Sequence, residues 1–208
     1  MKPVSRNIPL LFAALFGAQL AAAQGVDVFF GLGTATNSSS KQIVDTFGDG
    51  TLYGTPRMGG LFADTGGSLM ITPHYGFGGE VSFRTSQGGY AGLNYRPIFY
   101  DFNGIYHPTG EKRLVPEIQA GLGAVNLRFY QNVSGCDVFG GCSSASQFLE
   151  SSNHFQLHFG VGLKYYVKGN FFVRPQFDLH WVNNFFQFGS DLVPEYSVAL
   201  GYTFGSQR

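Results

Sequence analysis

The sequence predicts an all-β protein, an eight-stranded antiparallel transmembrane β-barrel with a polar, side-chain-filled lumen. Three observations lead there. Charged residues are only 12% of 208, about half the roughly 25% of an average soluble chain. Aromatics reach 16%, with 22 Phe and 11 Tyr beside 30 Gly. Apolar residues recur with period two, and the faces they form are free of charge. Low charge with many aromatics argues against disorder. Abundant glycine argues against helices, whose interiors it destabilises by about 1 kcal/mol relative to Ala. A formal net charge of zero leaves no basic footprint, so no nucleic-acid partner is expected.

Residues 1–23 read as a signal peptide. Lys2 and Arg6 precede an apolar run from Leu10 to Leu20 and a small-residue cleavage site at Ala21-Ala22-Ala23. Cleavage is expected after Ala23, with residues 24–208 forming one barrel domain. Export puts Cys136 and Cys142 in an oxidising compartment. There the segment Cys136-Asp-Val-Phe-Gly-Gly-Cys142 is expected to close a small disulfide loop. After Gln24 no apolar run is long enough to cross a bilayer as a helix.

The strands follow in order. Over residues 26–32, Val26, Val28, Phe30 and Leu32 share a face. Over 59–72, Leu61, Ala63, Leu69 and Ile71 oppose Asp64 and Ser68. Over 77–85, Phe77, Val81 and Phe83 oppose Glu80, Ser82 and Arg84. Two runs need a phase slip, which a β-bulge would supply. Leu93 and Tyr95 give way to Ile98, Tyr100 and Phe102 around Pro97, and Ile118, Ala120 and Leu122 give way to Val125, Leu127 and Phe129 near Ala124. The last three alternate cleanly: Phe155 to Tyr165, Phe171 to Trp181, and Tyr196 to Phe204.

The apolar faces carry the large aromatics and no charge, which suits hydrocarbon. A Lys or Arg at the midplane of a membrane barrel costs roughly 2–4 kcal/mol. Only helices and closed barrels satisfy every backbone group inside a membrane. The rival fold is a soluble secreted barrel with an apolar ligand cavity. Connections alternate in length: 34–56, 131–152 and 183–194 are long, while 73–76, 107–113 and 168–170 are short. Residues 85–90 form a short connection on the long-loop side. Long extracellular loops and short periplasmic turns are the outer-membrane pattern. Tyr53, Tyr95, Tyr106, Tyr130, Tyr165, Tyr202 and Phe204 are candidate interfacial girdle residues.

The opposite faces point inward. They carry Asp64, Glu80, Arg84, Arg96, Asp101, Glu117, Arg128, Lys164, Arg174 and Asp178, with His154, His158 and His180. An eight-stranded lumen is just filled by side chains, and buried charges are costly unless paired. The expected arrangement is a salt-bridge and hydrogen-bond network plugging the lumen, with no cofactor. His154 and His158 lie about 13 Å apart along one strand, too far to share a metal. His158, Asp178 and His180 could be cross-strand neighbours, but hydrogen-bonded histidines without metal are expected.

With these features in view, the chain resembles the outer-membrane β-barrel domain family, of the small OmpA/OmpX-like type. The resemblance covers residues 26–204 and rests on the leader, the eight alternating runs and the ending Gly201-Tyr202-Thr203-Phe204. Gly79-Glu80-Val81, the run from Arg96 to Asn103 and Phe172-Val173-Arg174-Pro175-Gln176 are similar to segments of exported barrels from environmental bacteria. The ending is similar to the aromatic-terminated last strand read by the barrel assembly machinery of Gram-negative bacteria. This implies Tyr202 and Phe204 as an assembly signal, followed here by Gly205-Ser206-Gln207-Arg208. The implied setting is a bacterial outer membrane, with membrane lipid and the assembly machinery as partners. An unknown extracellular partner at the loops and a monomeric state are also expected. The expected function is non-catalytic, envelope-structural or surface-interacting. A narrow, porin-like channel for small solutes is the alternative. A lipid-modifying or peptide-cleaving barrel enzyme is a second, for which His154 beside Ser151, Ser152 and Glu150 is the candidate group.

Overall fold

The computed structural model describes residues 25–37, 43–45, 48–110, 112–136 and 141–205; the expected leader lies outside them. Eleven strands are present among the described residues. Eight build the barrel: β1 (Gly25–Ala35), β4 (Phe62–Met70), β5 (Tyr75–Arg84), β7 (Leu93–Tyr106), β8 (Leu114–Cys136), β9 (Cys142–Lys168), β10 (Phe171–Val182) and β11 (Leu192–Phe204). The pair β2 (Ile43–Val44) and β3 (Tyr53–Gly54) sits in the first long connection, and β6 (Gly88–Tyr90) pairs with the start of β7. Each barrel strand pairs antiparallel with its sequence neighbour in the barrel, and β1 pairs with β11 to close the ring. No helix among the described residues is long and apolar enough to cross a membrane.

Burial alternates along the strands because the two faces meet different surroundings. Phe30, Phe77, Phe102, Leu122, Phe159, Trp181 and Leu200 point outward from seven strands, with Phe102 63% and Leu200 67% exposed. Asp27, Ser82, Glu117, Lys164, Arg174 and His180 are buried on the opposite faces. Exposing large apolar side chains while burying charged ones inverts the arrangement of a soluble protein. It is stable where hydrocarbon surrounds the barrel. At the end where β1 starts and β11 finishes, Tyr75 stacks on Tyr106 with centroids 5.1 Å apart, and Phe171, Tyr202 and Phe204 form a second aromatic group.

The two expected phase slips are absent. β7 and β8 stay in register from Asn94↔Tyr130 to Tyr106↔Ile118. The register shifts lie elsewhere, between Phe129 and Tyr130 and between Phe171 and Phe172. Tyr95, Phe99, Val125, Leu127 and Phe129 therefore point into the barrel and are buried, and Tyr95 is not a girdle residue. Pro97 is tolerated because it falls between the last pairing of β5, Phe83↔Ile98, and the first of β6, Gly88↔Tyr95. There no neighbour needs its missing N–H. The β6–β7 hairpin turns on Ala91 and Gly92, both at positive φ (52° and 78°), the type I′ geometry that suits a two-residue hairpin.

The connection expected over residues 131–152 is largely sheet. β8 and β9 continue past the barrel to Cys136↔Cys142, where a disulfide joins them. The ribbon from Tyr130 to Cys136 reaches about 20 Å beyond the rim.

Candidate functional site: the barrel lumen

Three layers fill the lumen. Nearest the start of β1 and the end of β11 is a paired ionic layer. Lys164 Nζ lies 2.6 Å from Asp27 Oδ2 and 2.5 Å from Glu117 Oε2. Arg174 Nη1 donates to Glu117 Oε1 at 3.0 Å, and its Nη2 lies 3.4 Å from Glu80 Oε2. Its guanidinium sits 3.8 Å from the Phe29 ring centroid. Thr203 and Ser68 hydroxyls donate to Asp27, the Gln119 amide donates to Glu117, and His107 Nε2 lies 2.8 Å from Glu117. Buried ions hold only when paired and hydrogen-bonded, and here each finds several partners. The small cavity bordered by Phe29, Glu80, Asn103 and Arg174 measures about 10 Å³, room for one water at most.

The middle layer is acidic. His158 Nε2 lies 2.8 Å from Asp178 Oδ1 and its Nδ1 2.8 Å from Asn103 Oδ1. The Gln156 amide donates to Asp101 Oδ1, and the Ser82 hydroxyl donates to Glu195 Oε1. His180 stacks on His158 with centroids 4.9 Å apart. Its Nδ1 is 3.8 Å from Asp101 Oδ2 and its Nε2 is 3.3 Å from Glu195 Oε2, yet neither nitrogen is hydrogen-bonded. Both oxygens of buried Asp64 also lack a hydrogen-bond partner. Gly160 makes this packing possible, since a methyl there would strike the Asp178 carboxylate. Asp101, His158 and His180 each offer one ligand atom, all within 4.8 Å of one another.

The third layer is apolar and seals the loop-side mouth. Phe62, Tyr95, Phe99, Val125, Leu127, Val182 and Val193 meet Phe185 and Phe188 from the β10–β11 connection. The rings of Phe185 and Phe188 stack at 4.6 Å around a short 3₁₀ turn, Phe186–Phe188. The Asn37 amide donates to the Phe188 carbonyl at 2.6 Å, and its Oδ1 accepts from the Met58 N–H. Tyr95 Oη donates to the Arg57 carbonyl. These bonds tie the first long connection to the plug.

The expected lumen residues divide accordingly. Glu80, Glu117, Lys164 and Arg174 meet in the ionic layer, and Asp64, Asp101, His158, Asp178 and His180 in or beside the acidic one. Arg96 and Arg128 are corrections: they face each other across β7 and β8 on the outer wall, since neither strand slips phase. Arg96 Nη2 donates to the Thr85 carbonyl and Arg128 Nε to Asn126 Oδ1. Arg84 keeps the expected inward phase but stands at the mouth, 5.4 Å from the Tyr95 ring centroid and apart from the ion pairs. Sequence reasoning missed Asp27, His107 and Glu195. Asp27 and Glu195 sit on the polar beat of β1 and β11, so alternation alone could have found them; His107 lay in an expected turn.

Ser152 Oγ and His154 Nε2 are 3.1 Å apart, while His154 Nδ1 faces the Asn183 carbonyl at 3.3 Å rather than a carboxylate. The half-buried imidazole packs edge-on against Phe185.

No family model matches the chain, and no curated protein matches it in sequence. Solved structures do. Neisserial surface protein A is 14% identical, with TM-score 0.56, covering 85% of this chain and 96% of that one. OprG from Pseudomonas aeruginosa is 12% identical, with TM-score 0.52 over 89% and 97%. Ail from Yersinia pestis, solved in complex with the heparin analogue sucrose octasulfate, is 12% identical, with TM-score 0.51 over 86% and 98%. The chain shares the fold of these small outer-membrane barrels: a closed eight-stranded ring with an apolar exterior and a polar interior.

Proposed function

We propose that this barrel is a non-catalytic platform that presents the β8–β9 ribbon at the cell surface. The observation carrying this reading is the pairing of a plugged lumen with a disulfide-clamped ribbon projecting from the same mouth. The plug opposes a channel: apolar side chains crowd the loop-side mouth above the polar layers. His154 has a backbone carbonyl and no carboxylate at Nδ1, which opposes hydrolysis, because a base needs an orienting partner. Residues 131–135 and 143–147 carry Gln, Asn and Ser but no charge. Such a surface suits a hydroxyl-rich partner, so a neutral polysaccharide is the favoured class.

The test compares cells displaying the full chain with cells displaying a variant whose residues 131–147 are replaced by a two-residue turn. Adhesion to surfaces coated with a neutral polysaccharide should fall to background in the variant, while its barrel remains heat-modifiable on gels. Equal adhesion by both would overturn the ribbon's role. Steady conductance of the full chain in planar bilayers would favour the small-solute channel instead. Deacylation of lipopolysaccharide by the purified barrel would favour the enzyme.

A further inference from the structure

We propose that the acidic layer of the lumen binds one divalent transition-metal ion of the zinc class through Asp101, His158 and His180. The three residues come from β7, β9 and β10 and converge across the barrel with ligand atoms within 4.8 Å of one another. Imidazole nitrogen with carboxylate oxygen is a donor set that suits zinc and its neighbours rather than calcium or magnesium.

The surroundings of each ligand make the case beyond proximity. His180 is 2% exposed, and neither ring nitrogen has a hydrogen-bond partner. Its Nε2 faces the Glu195 carboxylate at 3.3 Å, leaving Nδ1 turned toward Asp101 Oδ2 at 3.8 Å. His158 has Nε2 on Asp178 at 2.8 Å and Nδ1 on Asn103 Oδ1 at 2.8 Å, so an ion at Nδ1 takes the place of the neutral Asn103 amide contact. Asp101 has Oδ1 held by the Gln156 amide, so Oδ2 is the oxygen left over. Histidines that ligate metals commonly turn their other nitrogen to a carboxylate, which fixes the ring and raises its basicity. Here both histidines do so.

Charge points the same way. Lys164 and Arg174 reach Asp27, Glu80 and Glu117 below, and Asp64, Asp101 and Glu195 form no ion pair with either. An ion bound at the acidic layer supplies the missing positive charge. It would link β7 to β10 across the lumen, just beneath Phe99, whose ring lies 4.8 Å from that of His180.

The experiment refolds the full barrel in detergent with Zn²⁺ or Co²⁺ present, removes free metal, and measures bound metal by elemental analysis. The Co²⁺ form is also read by its visible absorption. One ion per chain is expected. His180→Gln and Asp101→Asn should each abolish stoichiometric retention, while Glu195→Gln should weaken affinity about 10–100-fold. His154→Gln, which lies outside the acidic layer, should retain the ion. Heat-modifiable migration confirms that each variant is folded. A barrel that retains no metal, or one whose metal survives both His180→Gln and Asp101→Asn, overturns the proposal. If one of those variants does not fold, the other decides alone; if neither folds, loss of affinity in Glu195→Gln decides.

Discussion

Toward the start of β1 and the end of β11, two permanent cations are threaded among carboxylates. Lys164 bridges Asp27 and Glu117, and Arg174 bridges Glu117 and Glu80. A few ångströms toward the loops, Asp101 and Glu195 are also buried, yet only histidines and hydroxyl or amide groups pair with them, and buried Asp64 has no hydrogen-bond partner. The first region is satisfied by the chain itself. The second is left with buried oxygens and ring nitrogens lacking partners. Shared burial with unequal pairing teaches that the two layers have different tasks: one holds the barrel shut, the other is built to take up charge.

Lys164→Met gives the largest expected effect. It leaves Asp27 and Glu117 short of their shared cation, and breaking a buried pair costs about 3–5 kcal/mol. Urea unfolding of the refolded barrel should show that loss; a shift no larger than that of a surface variant would remove the distinction between the layers. Phe159→Arg, on the outer wall, provides the reference scale. It should cost roughly 2–4 kcal/mol near the midplane, read as reduced folding yield into lipid vesicles. Asp64→Asn should behave oppositely to Lys164→Met. Its carboxylate is buried without a hydrogen-bond partner, so neutralising it should stabilise the barrel by on the order of 1 kcal/mol. A marked destabilisation in the same unfolding assay would show that Asp64 has a partner the comparison denies it. Smallest of all, Cys136→Ser should leave the barrel midpoint unchanged and raise only protease sensitivity in the ribbon. Loss of the folded band on gels would tie the ribbon to barrel assembly.

The eight strands were legible because most inner and outer faces meet opposite surroundings, so polarity alternates residue by residue. Phe171 to Val182 shows this plainly, with Phe177 and Leu179 outside and Gln176, Asp178 and His180 inside. Legibility failed where both faces share one character. In β7, the inward Tyr95, Pro97 and Phe99 interleave with outward Ile98 and Tyr100. Apolar residues on both walls erase the alternation and imitate a slip. That false slip carried Arg96 and Arg128 to the wrong side. In the ribbon the failure is reversed: polar residues on both faces hide a continuing sheet. The lumen residues were readable singly, as charges on inner beats. Their division into layers depends on strand register, which one-dimensional spacing does not contain.

Asp27 lies near one end of the described chain and Thr203 near the other, joined at 2.6 Å across 176 positions. That bond forms only at the β1–β11 seam, the pairing that turns an open sheet into a cylinder. Until the seam zips, Asp27 and its neighbours remain hydrated on an unfinished wall, unsuited to a bilayer. Burial of Asp27 and completion of the circle are thus coupled through the first and last strands.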